Sequence, residues 1–208
     1  MIIKARHHPV IDPFFTWYVK RTVKRHFQEV NFINRFEDKG LPVLLIANHM
    51  SWWDGMWLRV FNEKYLGRKF NFMMLEDQLR KHWYFQYIGG FSVQKGSRTV
   101  VQSLEHAAWL LGNNDNLVLM FPQGEIQSMH TGTYHFDKGI EAILSRTKTE
   151  IQVLMTVNLV EYFSQKKPSL FSYTDELDQA VITHEQIEEA YNDFYRDCVT
   201  AQQNIKDI

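Results

Sequence analysis

Val43-Leu44-Leu45-Ile46-Ala47 is an unbroken apolar run between Asp38-Lys39-Gly40 and the polar pair Asn48-His49. With no polar residue alternating along it, the run predicts a strand buried on both faces. Leu117 to Phe121 and Ile151 to Leu159 read the same way, and Gly89-Gly90 sets off a shorter strand, Phe91 to Gln94. Between these runs the period changes. Val100, Val101, Leu104, Ala107, Ala108 and Leu111 recur at helical spacing and stop at the turn Gly112 to Asp115. A helix is expected from near Ser51, a helical segment from Glu76 to Tyr87, and a closing acidic helix from Glu185 to Cys198. Alternation of strand and helix predicts an α/β fold, a single domain with a mixed, largely parallel central sheet flanked by helices.

The start of the chain reads differently. From Phe14 to about Val30 a helical wheel separates Phe15, Val19, Val23 and Val30 from Lys20, Arg21, Lys24 and Arg25, with Asp12-Pro13 as cap and first turn. Such a basic amphipathic helix either packs on the domain with its charged face in solvent or lies on a membrane surface. Trp17 and Tyr18 beside the bases favour the interfacial reading. The chain therefore divides into an N-terminal helix region, 1–40, and an α/β domain, 41–208.

Charge and cysteine content narrow the function classes. Lys+Arg 23 against Asp+Glu 24 gives no overall basic field, so nucleic acid is not an expected partner. The balance is local: residues 1–40 hold eight Lys/Arg against four Asp/Glu, and residues 171–208 hold two against nine. Cys198 is the one cysteine, which excludes an intramolecular disulfide and a cysteine-based zinc site. His7-His8 reads as a surface feature near a terminus rather than a metal pair, and no metal site is expected. No run of about 18 apolar residues or signal-peptide core is present, so the expectation is a cytoplasmic protein, peripheral on the inner face of the cell membrane.

Three segments carry candidate chemistry. In Asn48-His49-Met50-Ser51-Trp52-Trp53-Asp54, a histidine and an aspartate lie five positions apart after a buried strand. On one continuous helix they would point about 140° apart. They meet if His49 sits in the strand-to-helix turn and Asp54 in the first helical turn, where a carboxylate fixes the imidazole tautomer and leaves the other nitrogen as a base. Ser51 to Asp54 is also a capping box, and both readings are compatible. In Phe121-Pro122-Gln123-Gly124-Glu125 a strand stops at a turn, either an ordinary one or a cradle whose N–H groups hold a phosphate or oxyanion. Gly89-Gly90 to Arg98 offers a glycine break, a short strand and the cations Lys95 and Arg98.

Together and in this order, the segments resemble the glycerolipid acyltransferase family, whose best-known members acylate lysophosphatidic acid. Asn48-His49 to Asp54 matches its N-H-x-x-x-x-D block, and Phe121-Pro122-Gln123-Gly124 is similar to its F-P-E-G block. Gly89 to Lys95 resembles the block between them, and Phe136-Asp137-Lys138-Gly139 the downstream F-K-x-G segment. The likeness covers roughly residues 14–160. It departs at Gln123, where the family has glutamate, at Ile126 and Lys95, where it has phosphate-holding arginines, and in the Ile151 to Leu159 strand, which lacks its proline.

The resemblance implies acyl transfer from acyl-CoA or acyl carrier protein to a lipid hydroxyl, with His49 as general base and Asp54 orienting it. It implies substrate contacts at Asn48, Lys95, Phe121, Pro122, Gln123, Gly124, Glu125 and Lys138, a membrane contact through the Phe14 to Val30 helix, and no cofactor. The departures keep open a non-phosphate acceptor such as a glycolipid, an amino-acid lipid or a pigment sugar. A non-catalytic lipid-binding module is the remaining alternative.

Overall fold

A computed structural model describes residues 2–178 and 183–206. The described residues form a seven-stranded sheet in the order β1-β7-β6-β2-β5-β3-β4. The expected runs become β2 (Val43–Ala47), β4 (Gly90–Val93), β5 (Asn116–Met120) and β6 (Gln152–Glu161). Every residue of β2 and β5 is buried, which is why neither shows polar alternation. Leu44 and Ile46 of β2 face one cluster, with α4 (Val100–Leu110), α5 (Gly139–Leu144) and α6 (His184–Gln203). Val43, Leu45 and Ala47 face the other, with Leu58 and Phe61 of α2 (Asp54–Tyr65). The sheet is thus a middle layer between two sets of helices.

Three strands have no apolar run to announce them. β3 (Lys69–Leu75) begins on a lysine and carries the buried Asn71, whose amide donates to Leu117 O of β5 at 3.1 Å. β7 (Ser169–Glu176) returns antiparallel to β6, and its polar residues pair across the ladder: Ser172 Oγ with Asn158 Oδ1 at 2.8 Å, Thr174 with Thr156 at 3.1 Å. β1 (Val30–Arg35) is a half-buried edge strand parallel to β7. The other strand pairs are parallel, so β1 and β7 run against the remaining five.

The N-terminal helix starts and ends earlier than expected, and its apolar stripe is used differently. α1 spans Ile11–His26, and Val30 opens β1. The helix ends because Phe27 turns extended and sets its ring against Trp53 and Trp57. Val19 and Val23 are buried with Trp57 and Leu170, so the stripe read as membrane-facing packs on the domain. The exposed face carries Phe14, Trp17 and Tyr18 in its first half and Lys20, Arg21, Lys24 and Arg25 in its second. Residues 1–40 therefore supply both a packed helix and a strand of the common sheet.

The helical segment 76–87 divides into α3 (Glu76–Lys81) and a 3₁₀ turn, Trp83–Tyr87. Beyond it Gly89 has φ +98, and a Cβ there would collide with Phe70 O. Residues 3–8 run beside this stretch, with Arg6 N donating to Gln86 O, Gly89 N to Arg6 O and Ser92 N to Ile3 O. His7 is therefore held within the fold. The closing helix α6 starts at a capping box, Thr183 with Gln186, and runs past the expected end at Cys198.

Candidate active site

Because β2 and β5 are adjacent and parallel, their carboxyl ends deliver Asn48-His49 and Phe121 to Gly124 to one edge of the sheet. Regular helix α2 begins at Asp54, three residues later than expected, so Ser51 to Trp53 forms a turn that brings Asp54 back toward His49. His49 Nδ1 lies 2.7 Å from Asp54 Oδ2. The same oxygen accepts from Met50 N at 2.8 Å and Ser51 N at 2.9 Å, and Oδ1 accepts from Ser51 Oγ at 2.8 Å. Ser51 Oγ in turn accepts from Trp53 N at 3.1 Å, a near relative of the expected capping box.

This network assigns the protons. Asp54 is fully buried and receives bonds from two backbone N–H groups and a hydroxyl, a set that suits an ionised carboxylate. Nδ1 of His49 then donates, and Nε2 keeps its lone pair. Nε2 has no hydrogen-bond partner among the described residues, and the side chain is 24% exposed. The imidazole plane is fixed by stacking on Phe121, with centroids 4.2 Å apart and planes within 14°.

The turn after β5 grips the His49 backbone from both sides. His49 N donates to Gln123 Oε1 at 2.6 Å, Gln127 N donates to His49 O at 2.9 Å, and Gln123 Nε2 donates to Gln127 Oε1 at 3.0 Å. Gln127 belongs to none of the motif blocks. Its only sequence signal is its place four residues after Gln123, where it can receive the amide proton that a glutamate would not carry. Gln123 and Pro122 are buried, so they shape the turn rather than face a ligand.

Asn48 differs in the same way from the contact expected of it. It is 1% exposed, and its amide donates to Asn158 O at 3.0 Å and accepts from Asn158 N at 2.8 Å. This clip ties the end of β2 to β6. The groups open to a ligand are His49, the face of Phe121, the Gly124 backbone and the exposed Lys95, Glu125 and Lys138. Gly124 has φ +67, and a Cβ there would collide with Lys95 Nζ and crowd Asp137. Lys95 Nζ is 3.1 Å from Asp137 Oδ2, and Asp137 N donates to Pro122 O at 2.8 Å, so the four sequence blocks converge on this edge. Lys138 sits exposed at the start of α5, next to Asp137. From behind, α6 braces the connecting loop through Asn192, which accepts from Tyr134 N at 2.7 Å, and through Tyr195 Oη, which donates to Met129 O at 3.1 Å.

A histidine held by a buried carboxylate, beside a glycine turn at the carboxyl ends of parallel strands, is an arrangement that can move a proton to or from a bound group. The family follows from sequence: the acyltransferase family matches residues 19–156, and the chain belongs to it. That match begins inside α1 and so crosses residue 40. The fold is similar to that of the 1-acyl-sn-glycerophosphate (LPA) acyltransferase PlsC from Thermotoga maritima, with a TM-score of 0.63 and 19% identity over 93% of this chain and 80% of that one. No curated protein matches by sequence. Among the described residues no helix is long and apolar enough to cross a membrane.

Proposed function

We propose that this protein transfers a fatty acyl group from a thioester, acyl-CoA or acyl carrier protein, to a hydroxyl of a lysophospholipid-like acceptor. The observation that carries the reading is the His49–Asp54 pair, bonded through Nδ1 at 2.7 Å with Nε2 free on the open edge. Nε2 takes the acceptor's hydroxyl proton as its oxygen attacks the thioester carbonyl. The tetrahedral intermediate collapses with loss of the thiolate, which recovers the proton from His49, leaving an ester and a free thiol. Asp54 stabilises the imidazolium formed in between. The chemistry needs no metal or organic cofactor.

A phosphate on the acceptor would meet Lys95 and the turn at Gly124 at the mouth of the site, and the similarity to the Thermotoga 1-acyl-sn-glycerophosphate acyltransferase supports a glycerophosphate. A second reading, a non-phosphate lipid acceptor, is favoured by the exposed Ile126 where the resembled family has an arginine and by Asp137 pairing with Lys95. Substrates of this kind reside in bilayers. Phe14, Trp17 and Tyr18, followed along α1 by four bases, would hold the enzyme on the cytoplasmic face of an anionic membrane.

Thiol release from long-chain acyl-CoA tests the proposal, with lysophosphatidate, a lysoglycolipid or no acceptor, and with His49→Ala as control. Release that requires lysophosphatidate and His49 is the expected result. Release only with the glycolipid moves the acceptor; activity retained in folded His49→Ala removes the base.

A further inference from the structure

On the edge of the sheet opposite His49, α1, the last turns of α2 and the start of β3 enclose a groove of about 760 Å³. Its size falls within the range of small-molecule sites. None of the residues of the His49 edge lines it.

The groove is basic beyond what its own acids neutralise. Six bases line it, Lys20, Arg21, Lys24, Arg59, Arg68 and Lys69, against Asp12 and Glu63. Lys20 pairs with Glu63 at 2.8 Å, Arg68 with Asp38 at 2.7 Å, and Arg59 with Asp12. Arg21, Lys24 and Lys69 have no carboxylate partner among the described residues.

The floor holds Asp12 away from these three. His7 Nδ1 lies 2.5 Å from Asp12 Oδ2, and His7 Nε2 lies 3.0 Å from Asn71 Oδ1. Because the Asn71 amide nitrogen donates to Lys69 O and Leu117 O, its oxygen accepts from His7. Arg59 is fixed further by Thr16 Oγ1 at 2.9 Å and Ile88 O at 3.1 Å. Burial lowers its guanidinium to about 10, which leaves it cationic at neutral pH. Asp12 is thus held between Arg59 and His7, and the free bases on the two walls remain uncompensated. Trp17 lines the same groove, 5.9 Å from Phe14, and both rings are exposed. An anionic head seated among the bases would have an apolar surface beside it.

We propose that this groove is a binding site for a phosphate-bearing anion, separate from the catalytic edge and independent of the reaction at His49. Three cations from two walls suit a group that presents several acceptor oxygens. A phospholipid headgroup and a soluble phosphate compound share that chemistry.

The test uses the full chain, with pyrophosphate and with vesicles of phosphatidylglycerol or phosphatidylcholine as probes, followed by calorimetry and vesicle sedimentation. The groove variant is Arg21→Gln with Lys24→Gln and Lys69→Gln. The control removes equal charge outside the groove: Arg25→Gln, on the same helix, with Lys166→Gln and Lys167→Gln. Circular dichroism confirms that both fold. Saturable pyrophosphate binding, weakened tenfold or more by the groove variant alone, supports a soluble ligand. Binding to phosphatidylglycerol vesicles only, again lost with the groove variant alone, supports a headgroup. Equal loss with both variants means diffuse surface charge and overturns the site, as does no binding to either probe.

Discussion

The backbone N–H of His49 donates to the side-chain oxygen of Gln123 at 2.6 Å, joining the end of β2 to the turn after β5. Gln123→Ala leaves a partly buried N–H unsatisfied and frees His49 to shift; if His49 is the base proposed above, kcat should fall about tenfold with KM little changed. Gln123→Glu should restore most of the activity. A carboxylate accepts from His49 N as well, and the Gln127 amide can rotate to donate to it. A Gln123→Glu enzyme as impaired as Gln123→Ala would refute this positioning role.

Asp54 serves two purposes that one substitution separates. Asp54→Asn keeps the volume but removes the negative charge, so an imidazolium formed at His49 loses its counter-charge, and the weaker amide acceptor holds the proton on Nδ1 less firmly. Thiol release should drop by about 10³-fold or more, with retained near-ultraviolet dichroism showing an intact core. A drop below tenfold would mean that His49 does not depend on Asp54 for its tautomer.

The residues that gather around His49 were more legible in sequence than the sheet that carries them. Unbroken runs such as Val43 to Ala47 and Leu117 to Met120 reveal strands because burial on both faces requires them to be apolar. β7 stayed hidden because Ser172 and Thr174 satisfy their hydroxyls against Asn158 and Thr156, a pairing that exists only once β6 lies alongside. Val19 and Val23 were legible as one face of a helix, but whether that face meets lipid or Trp57 is a tertiary fact. Asn48, expected as a substrate contact, is a buried clip to Asn158, and Gln127 carried no motif.

Gly124 and Gly40 separate backbone strain from contact. Both have positive φ, +67 and +70, yet a Cβ at Gly40 meets nothing within 4 Å, whereas one at Gly124 collides with Lys95 Nζ. Gly40→Ala should cost about 1–2 kcal/mol from conformation alone. Gly124→Ala should cost about as much, because the Lys95 and Asp137 side-chain ends its Cβ meets are exposed and can swing aside, but it should lower activity by displacing Lys95. Chemical denaturation and thiol release of both variants check this, and a much larger loss of stability at Gly124 would show that Lys95 and Asp137 are held in place.

His106 should make stability depend on pH. It is 6% exposed, accepts from Ala5 N at 3.3 Å, stacks on Trp109 and meets Phe91 edge-on. Burial, with Lys4 nearby, lowers its pKa from 6.5 to about 4. Below pH 6.5 the unfolded chain therefore binds a proton that the native state refuses. The stability held by neutral His106 is complete above pH 6.5 and is lost as pH falls toward 4, by at most about 3 kcal/mol. His106→Gln keeps an acceptor for Ala5 N without a titrating group. The gap between wild type and His106→Gln should therefore shift steadily in the variant's favour between pH 6.5 and 4, read by urea unfolding at each pH. Parallel curves across that range would place the proton uptake elsewhere.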